Sequence, residues 1–316
     1  MNIHNILSDH ELYDEIDSRL NKNQLGNRFP IMRTTDQVRS IIRGVRERAE
    51  LPDIEVESIV RRFGRPVLFI QNDTFELPQS EVLRQRLQNC RYLIENGIRS
   101  VGRIELREHP NHAWVGTGWL VADDIVVTNR HVAEEFAVRD KERFVFKRNF
   151  KGRTMLARID FAEEFGMPDQ DEYQLAEPLY IEDRDGYDIA FFRVKNAVSD
   201  AQPILLSSSS KKNDNVVTIG YPARDSRIPD QALMSTIYGD VYDVKRLALG
   251  VLMAEETYDN LTYISHDCTT LGGNSGSVVL NLNGSGAAGL HFSGSFGEAN
   301  YAVPATVVAE RLSKIS

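Results

Sequence analysis

Three short stretches of the sequence carry residue types that together could hydrolyse a peptide bond. A serine hydrolase needs a hydroxyl nucleophile, an imidazole base, a carboxylate that orients the base, and N–H donors for the oxyanion. Ser275 lies in Leu-Gly-Gly-Asn-Ser-Gly-Ser (residues 271–277), whose glycines allow a tight turn and close approach of a substrate carbonyl. We expect Ser275 to attack and the amides of Gly273 and Ser275 to form the oxyanion hole. An ordinary Gly/Asn/Ser loop without catalytic function would have the same local sequence, so this motif alone does not identify a nucleophile.

A base and a carboxylate precede Ser275 in an order that suits this reaction. His131 follows an apolar run at residues 125–128, so a predicted strand would aim it from a rigid edge into a cleft. Asp188 opens a second apolar run at residues 189–194. Taken singly, such a histidine is usually a surface or core residue, and such an aspartate a turn residue. Because three independent contexts agree in the order His, Asp, Ser, we predict a catalytic triad of His131, Asp188 and Ser275.

Short strands dominate the part of the chain that must position these residues. Alternating β-branched runs separated by turns predict strands at residues 101–106, 113–121, 125–128, 189–194, 216–219, 277–280 and 286–292. The acidic stretch 163–188 is expected to be a surface excursion between strands. Pro304 is placed to open a C-terminal helix. Strands of this number and length predict an all-β sandwich or a pair of barrels over residues 98–316.

The first 97 residues differ from the rest in being mainly helical by pattern. Apolar residues recur at helical spacing over residues 38–45 and again over residues 54–63. A short strand is predicted at residues 66–70 and a connector helix at 80–97, capped by Ser80 and ended by Gly97. Arginines flank the earlier apolar positions, either as a solvated face or as a docking surface for an acidic partner or a nucleic acid. We therefore assign residues 1–97 to a regulatory or docking region.

Composition narrows the classes of function. The 316 residues carry a net charge of −9, which disfavours a surface that binds nucleic acid or an anionic membrane over its whole extent. Neither a signal-peptide core nor an apolar run that could span a bilayer is present in the sequence. With only two cysteines, the chain fits a reducing, cytoplasmic compartment. No zinc-ligand spacing or phosphate-binding glycine loop occurs, so neither a metal nor a cofactor is predicted.

The three motifs together resemble a known family. TNRHVA around His131, DIAFFRV from Asp188 and GGNSGS around Ser275 are similar to the trypsin-like, chymotrypsin-fold serine peptidases, above all to the bacterial glutamyl-endopeptidase branch and its intracellular relatives. The resemblance covers roughly residues 98–316. It implies a mostly β fold, a double six-stranded β-barrel with a C-terminal helix, preceded by a small, mainly helical N-terminal region. It also implies a serine endopeptidase that cleaves protein or peptide substrates through an acyl-enzyme.

The same resemblance suggests the walls of a specificity pocket. Thr269 and Thr270 would line one wall, and His291 with residues 292–294 the other. Thr269 stands where trypsins carry the aspartate that selects Arg or Lys, so that preference is not supported. The pairing of Thr270 with His291 resembles glutamate-selective members, in which a protonated imidazole can neutralise a substrate carboxylate. The alternative is that His291 is an interior histidine whose hydrogen bonds are made within the protein, in a pocket of other preference. Backbone groups of Ser293 and Gly294 would pair with an extended substrate.

One departure from the family concerns activation. Animal trypsins have an aspartate before the nucleophile that pairs with a newly cut N-terminus, whereas this chain has Asn274. Regulation, if present, must work otherwise, and the N-terminal region is the candidate regulator. The lead-in to residue 98 resembles that of bacterial cytoplasmic peptidases, some of which accompany defence modules, which suggests an antiviral effector. A peptidase-fold binding or scaffolding module and a Deg-type quality-control protease are the competing interpretations.

Overall fold

The computed structural model describes residues 3–22, 35–47, 60–61, 63–196, 198, 200–226, 231–284, 286–294 and 299–315. Two β-barrels account for most of these residues, and helices precede and follow them. Within the described ranges, no helix has both the length and the apolar character needed to cross a lipid bilayer. The second predicted helix of the N-terminal region, over residues 54–63, falls mostly outside the described residues.

The first barrel is closed by six antiparallel strands. In chain order these are β3 (Val101–Arg107), β4 (Trp114–Ala122), β5 (Ile125–Thr128), β8 (Leu156–Asp160), β9 (Glu172–Ile181) and β10 (Ala190–Val194), and they neighbour one another in the order β10-β5-β4-β3-β8-β9. Alternate residues point inward, and the interior is filled by buried side chains such as Ile104, Leu120, Val126, Ile159 and Phe192. Burial of each such side chain favours folding by about 1.5–3 kcal/mol. A helix α6 (Arg130–Phe136) and a hairpin of β6 (Ala137–Asp140) and β7 (Arg143–Phe146) follow β5.

The second barrel has the same strand number. Its strands are β11 (Asn215–Gly220), β12 (Arg246–Tyr258), β13 (Leu261–His266), β14 (Val278–Asn281), β15 (Ala287–Gly294) and β16 (Asn300–Pro304), in the order β11-β14-β15-β16-β13-β12, and pairing of β11 with β12 closes it. Helix α7 (Gln231–Tyr238) precedes β12, and helix α8 (Ala305–Leu312) follows Pro304 at the C-terminus. The predicted mostly β, double six-stranded barrel with a C-terminal helix is confirmed.

The N-terminal region combines helices with one strand pair. Helices α1 (Ile3–Ser8), α2 (His10–Asn21) and α3 (Thr35–Arg46) share an apolar core of their own. Strand β1 (Val67–Gln71) then pairs with β12, with Val67 opposite Ala248, and β2 (Thr74–Phe75) pairs with β1. The chain before residue 98 therefore extends the sheet of the second barrel. The division at residue 97 stays a prediction.

Three details of the sequence interpretation were wrong. The connector is two helices, α4 (Glu81–Asn89) and α5 (Arg91–Arg99), because the chain leaves helical geometry at Cys90 (φ −112°, ψ 12°). Gly97 is buried inside α5 and does not end it. The position is a glycine because a side chain there would press on Ile219 and Leu280. The acidic stretch 163–188 is not only a surface excursion, because it contains β9, a strand of the first barrel. All seven predicted strand runs and the Ser80 cap of α4 are confirmed.

Candidate active site

His131 and Asp188 are brought together by the pairing of two neighbouring strands. His131 is the second residue of α6, just after β5, and Asp188 lies two residues before β10, which pairs with β5. The two side chains are joined by a 2.6 Å contact between Nδ1 of His131 and Oδ2 of Asp188, and the His131 N–H donates to Oδ1 at 2.9 Å. The carboxylate thus fixes the imidazole through its Nδ1 side, so Nε2 is left to act on a substrate or a nucleophile.

The loop before Asp188 is itself held by residues beside His131. The Asn129 side-chain amide donates to the Asp188 carbonyl at 3.0 Å. The Arg130 guanidinium donates to the Asp183 carbonyl at 2.6 Å and, over longer distances, to those of Gly186 and Tyr187. The segment Asn-Arg-His therefore supplies both the imidazole and the groups that fix its carboxylate partner.

The nucleophile loop lies between β13 and β14 of the second barrel and touches the first barrel at Thr117. Gly276 has φ +90°, and a Cβ atom there would lie 1.9 Å from the Thr117 carbonyl oxygen, so only glycine fits. The Thr117 N–H donates to the Ser275 carbonyl at 2.9 Å, and its hydroxyl donates to the Gly273 carbonyl at 3.0 Å. Strand β4 therefore positions the loop that carries Ser275.

Ser275 lies close to the segment that carries His131. A Cβ atom on Gly116 would be 2.8 Å from the Val132 side chain and 3.0 Å from the Ser275 carbonyl oxygen, so this glycine alone separates the two. Within the described part of the chain, the Ser275 hydroxyl forms no hydrogen bond, to His131 or to any other group. Catalytic hydrogen bonds are often long without substrate and shorten when it binds.

The main-chain N–H groups of the predicted oxyanion hole are not used within the described part of the protein. The Gly272 carbonyl accepts a hydrogen bond from the Ala223 N–H at 2.7 Å. Because C=O and N–H point in opposite directions across a trans peptide, the Gly273 N–H faces away from Ala223. Among the described residues, neither this N–H nor that of Ser275 has an acceptor. Both donors are thus available to a developing oxyanion.

Asn274, between the two donors, is turned into the protein. It is 5% exposed, its N–H donates to the Leu271 carbonyl at 3.2 Å, and its amide nitrogen donates to the same oxygen at 3.3 Å. The Ser277 hydroxyl donates to its amide oxygen at 3.4 Å. Hydrogen bonds between neutral groups therefore hold Asn274 in place.

The predicted specificity wall is tied down at both threonines. The buried Thr269 hydroxyl donates to the Arg65 carbonyl at 3.3 Å, and the Thr269 carbonyl accepts from the Tyr238 hydroxyl at 3.2 Å. The Thr270 hydroxyl donates to the Asn300 amide oxygen at 2.6 Å, and the Asn300 amide nitrogen donates to the Cys268 carbonyl at 2.6 Å. The single hydroxyl proton of Thr270 is therefore committed to Asn300. Sequence reasoning did not identify Asn300, which lies 30 residues away in the chain.

His291 is buried against a second histidine. Its Nδ1 lies 3.2 Å from Nε2 of His266, and the two side chains are 3% and 0% exposed. Burial lowers the pKa of His266 to about 3. Burial, followed by the charges of His266 and His131, lowers the pKa of His291 well below its usual value. Burial therefore favours the neutral form of both imidazoles. The only sequence signal for His266 was its place at the end of a β-type run.

Residues 292–294 leave one strand edge free for a substrate. Pairing of β14 with β15 ends at Val278 opposite Leu290, whereas β16 continues to pair with β15 as far as Gly294 opposite Asn300. Ser293 and Gly294 are exposed. Within the described residues, this end of β15 is therefore paired on one side only, which suits the addition of an extended peptide as a further strand.

A cleft of about 430 Å³ adjoins His131 of the predicted triad. Its lining includes Trp114, His131, Ala223, Arg224 and Gly273. Two of these residues, His131 and Gly273, belong to the predicted catalytic groups. The cleft therefore lies where a peptide segment would contact both the base and the oxyanion loop.

One acidic cluster lies outside the triad. Carboxylate oxygens of Glu105, Asp160 and Glu163 lie within 4.8 Å of one another, a spacing that metal ligands also show. Arg103 forms ion pairs with Glu105 at 2.5 Å and with Glu163 at 2.7 Å, and Arg158 pairs with Glu105 at 2.7 Å. These guanidinium groups already neutralise much of the charge that would hold a cation.

Several known proteins resemble this chain in sequence or in structure. Residues 116–288 match the family model of the trypsin-like peptidase domain. A probable serine protease of Lysobacter enzymogenes is 28% identical over 246 residues, which cover 68% of this chain and 62% of that protein. The matched part thus spans less than two thirds of the relative. The M. tuberculosis protease Rv3671c in its active form has 16% identity and a TM-score of 0.47, over 73% of this chain and 86% of that one. Its inactive form gives 17% identity and a TM-score of 0.46, over 73% and 95%.

Proposed function

Because this chain belongs to the trypsin-like peptidase domain family, we propose that it is a serine endopeptidase whose catalytic triad is His131, Asp188 and Ser275. The observation that carries the proposal is the two-point contact between His131 and Asp188 beside the Gly-rich loop of Ser275. In this arrangement the carboxylate fixes the imidazole tautomer and stabilises the imidazolium that forms during reaction.

The reaction follows from the positions of these groups. His131 removes the Ser275 hydroxyl proton as the oxygen attacks the substrate carbonyl, and the N–H groups of Gly273 and Ser275 stabilise the resulting oxyanion. The tetrahedral intermediate expels the amine, which takes its proton from His131, and an acyl-enzyme remains. Water, deprotonated by His131, then releases the acid and restores Ser275.

In the direct test, a proteome-derived peptide library is digested with the wild-type protein and, separately, with Ser275→Ala. The new peptide termini are then identified by mass spectrometry. We expect cleavage by wild type and a loss of turnover by several orders of magnitude in the variant. A thermal melt of Ser275→Ala serves as the folding control. Equal cleavage by both folded proteins would refute the role of Ser275.

A binding or scaffolding module is the second candidate, because Ser275 and His131 are not hydrogen-bonded to each other. A fluorophosphonate probe that acylates activated serines separates the two functions. Labelling of wild type but not of Ser275→Ala supports the peptidase. A folded wild-type protein that neither reacts with the probe nor cleaves the library supports the binding module.

For substrate specificity we propose a preference for glutamate before the cut, through Thr270 and His291. A bound carboxylate would raise the pKa of His291 and attract the hydroxyl proton that Thr270 now gives to Asn300. Because burial favours a neutral His291 in the free protein, binding of glutamate would take up a proton. The ratio of kcat/KM for matched Glu and Gln peptides should therefore fall as pH rises from 6 to 8, with a limit of about tenfold per pH unit for one proton. A ratio that does not change with pH excludes a protonated His291, and preference for another residue excludes the pocket assignment.

The cellular location of the protein is proposed from its free cysteines and from the organism of its relative. Cys90 and Cys268 are both free thiols, as suits a reducing cytoplasm, and the relative from L. enzymogenes is bacterial. On this basis we propose a bacterial intracellular protease. Anti-phage defence is proposed as its role because the lead-in to residue 98 resembles that of bacterial cytoplasmic peptidases, some of which accompany defence modules. Deletion of the gene should increase phage sensitivity, and complementation with Ser275→Ala should not reverse the change. Unchanged sensitivity would contradict the defence role.

A further inference from the structure

A buried ion pair joins the N-terminal region to the base of the specificity wall. Arg65 lies two residues before β1, the first strand of the pair that leads out of this region. Its guanidinium makes two hydrogen bonds to Asp267, from Nε to Oδ1 at 2.9 Å and from Nη2 to Oδ2 at 2.8 Å. The side chains are 3% and 0% exposed. A two-point, desolvated pair of this kind fixes direction as well as distance.

The wall is linked to the same segment by the main chain of Arg65. Asp267 lies two residues before Thr269, and the Thr269 hydroxyl donates to the Arg65 carbonyl. Oδ1 of Asp267 also accepts the Val251 N–H at 2.7 Å, which joins the pair to β12. Arg65 therefore holds two of the three residues from 267 to 269 in one rigid arrangement.

A second route connects the wall to β1. The Arg246 guanidinium lies 3.6 Å from the centre of the Phe69 ring and donates to the Tyr238 carbonyl at 2.8 Å. The Tyr238 hydroxyl in turn donates to the Thr269 carbonyl. Both routes begin in residues 65–69 and end at Thr269, so the N-terminal segment contacts the wall at this residue by two independent paths.

Removal of one partner from such a pair leaves a desolvated charge that the fold must accommodate. Loss of the Arg65 side chain would leave the Asp267 carboxylate buried without its charged partner, and breaking a buried pair in this way is strongly destabilising. The cheapest relief is a movement of the segment that carries Asp267 toward water. That segment continues into Thr269 and Thr270.

We propose that Arg65 is a positioning residue for substrate recognition. The N-terminal region fixes the Thr269–Thr270 wall through the Arg65–Asp267 pair, and displacement of residues 65–69 switches peptide cleavage off by loosening this wall while the triad stays intact. This inference rests on the proposed peptidase function and adds to it the residue through which the N-terminal region controls the site.

The test separates the wall from the triad. Arg65→Met removes the charge at similar length, Arg65→Lys keeps the charge without the two-point geometry, and Arg39→Met is the matched control, because it breaks the exposed Arg39–Asp17 pair elsewhere in the same region. For each variant we would measure kcat and KM for the best peptide found in the library. We would also measure the acylation rate with a small fluorophosphonate that has no group for the pocket.

In Arg65→Met we expect kcat/KM for the peptide to fall at least tenfold, mainly through KM, while the acylation rate stays within about threefold of wild type. Arg65→Lys should recover part of the loss, and Arg39→Met should match wild type. If Arg65→Met does not fold, the double variant Arg65→Met/Asp267→Leu replaces it, because it leaves no unpaired charge. This variant should likewise lose kcat/KM for the peptide while it keeps the acylation rate.

Three results would overturn the inference. If peptide hydrolysis and acylation fall in parallel, the pair acts only on the fold as a whole. If Arg65→Met has wild-type KM and kcat, the pair does not position the wall, although the peptidase function stands. If the wild-type protein itself neither hydrolyses peptides nor reacts with the probe, the proposed function fails and this inference fails with it.

Discussion

At the residue scale, Thr117 shows how a side chain with no reactive role can govern a reactive one. It is fully buried, and its hydroxyl donates to the Gly273 carbonyl and accepts the Tyr221 N–H at 3.2 Å. Its carbonyl accepts from the Thr128 hydroxyl at 2.7 Å. A single residue of β4 therefore fixes the loop that is predicted to form the oxyanion hole relative to β5, which leads into His131.

Replacement of Thr117 by valine tests this positioning. Thr117→Val keeps the shape and the backbone N–H but removes both bonds of the hydroxyl, so we expect kcat to fall about tenfold with little change in KM. This loss is smaller than the 10²–10³ that follows removal of an oxyanion donor itself. Thr117→Ser keeps the hydroxyl and should stay close to wild type. Equal kcat values for the valine and serine variants would contradict the role.

At the element scale, the N-terminus of α4 is capped from two directions. The Ser80 hydroxyl accepts the Leu83 N–H at 3.1 Å and donates to Glu15 of α2 at 2.6 Å. The Glu15 carboxylate also accepts the N–H groups of Glu81 at 2.8 Å and Val82 at 3.2 Å. Burial alone would raise the pKa of Glu15, but these donors lower it, so the carboxylate stays charged at the positive end of the helix. The cap thereby joins α2 to the connector.

Removal of the cap should weaken the whole connector. Ser80→Ala loses both hydroxyl bonds, and we expect the free energy of unfolding to fall by about 1–2 kcal/mol in urea denaturation. The exposed neighbour gives the matched control, Gln79→Ala, which should shift the midpoint far less. Equal midpoints for the two variants would show that the cap adds nothing to stability.

At the scale of the whole molecule, buried ionisable groups lie where the parts of the protein meet. Lys245 is fully buried, and its ammonium group donates to the Ile98 carbonyl at 3.0 Å, to the Phe161 carbonyl at 2.6 Å and to Glu164 at 3.3 Å. It therefore connects the second barrel to helix α5 and to the chain just after β8 of the first barrel. Such groups make the stability of the assembly depend on pH as well as on packing.

The buried pair His266 and His291 should make the protein acid-sensitive. Their folded pKa values lie below the unfolded value of about 6.5, so between these values the unfolded chain binds protons that the folded chain does not. The contribution of the two neutral imidazoles to the free energy of unfolding is therefore fully present above about pH 6.5. It falls as pH drops toward 3, by up to about 1.4 kcal/mol per pH unit for each imidazole. In urea melts from pH 4 to 7, His266→Gln should reduce the slope of the free energy of unfolding against pH by the amount that corresponds to about one bound proton. The exposed control His112→Gln should not, and an unchanged slope in His266→Gln would refute the assignment.

The sequence by itself determined those features that neighbouring residues encode. Alternating apolar residues specify strands such as β5, because the strand repeat places every second side chain inside. Glycines around Ser275 specify the turn, because Gly273 and Gly276 adopt positive φ. The short segments around His131, Asp188 and Ser275 could therefore be recognised without a structure, as could the double-barrel fold that they imply.

Only the tertiary structure decided which distant groups meet. Thr117 reaches Gly273 across 156 residues, Arg65 reaches Asp267 across 202, and His266 reaches His291 through the pairing of strands. No local pattern predicts these contacts, because they depend on how two closed barrels dock and on the pairing of β1 with β12. The state of His291 was decided in the same way, since the burial that keeps its imidazole neutral is created by side chains from other strands.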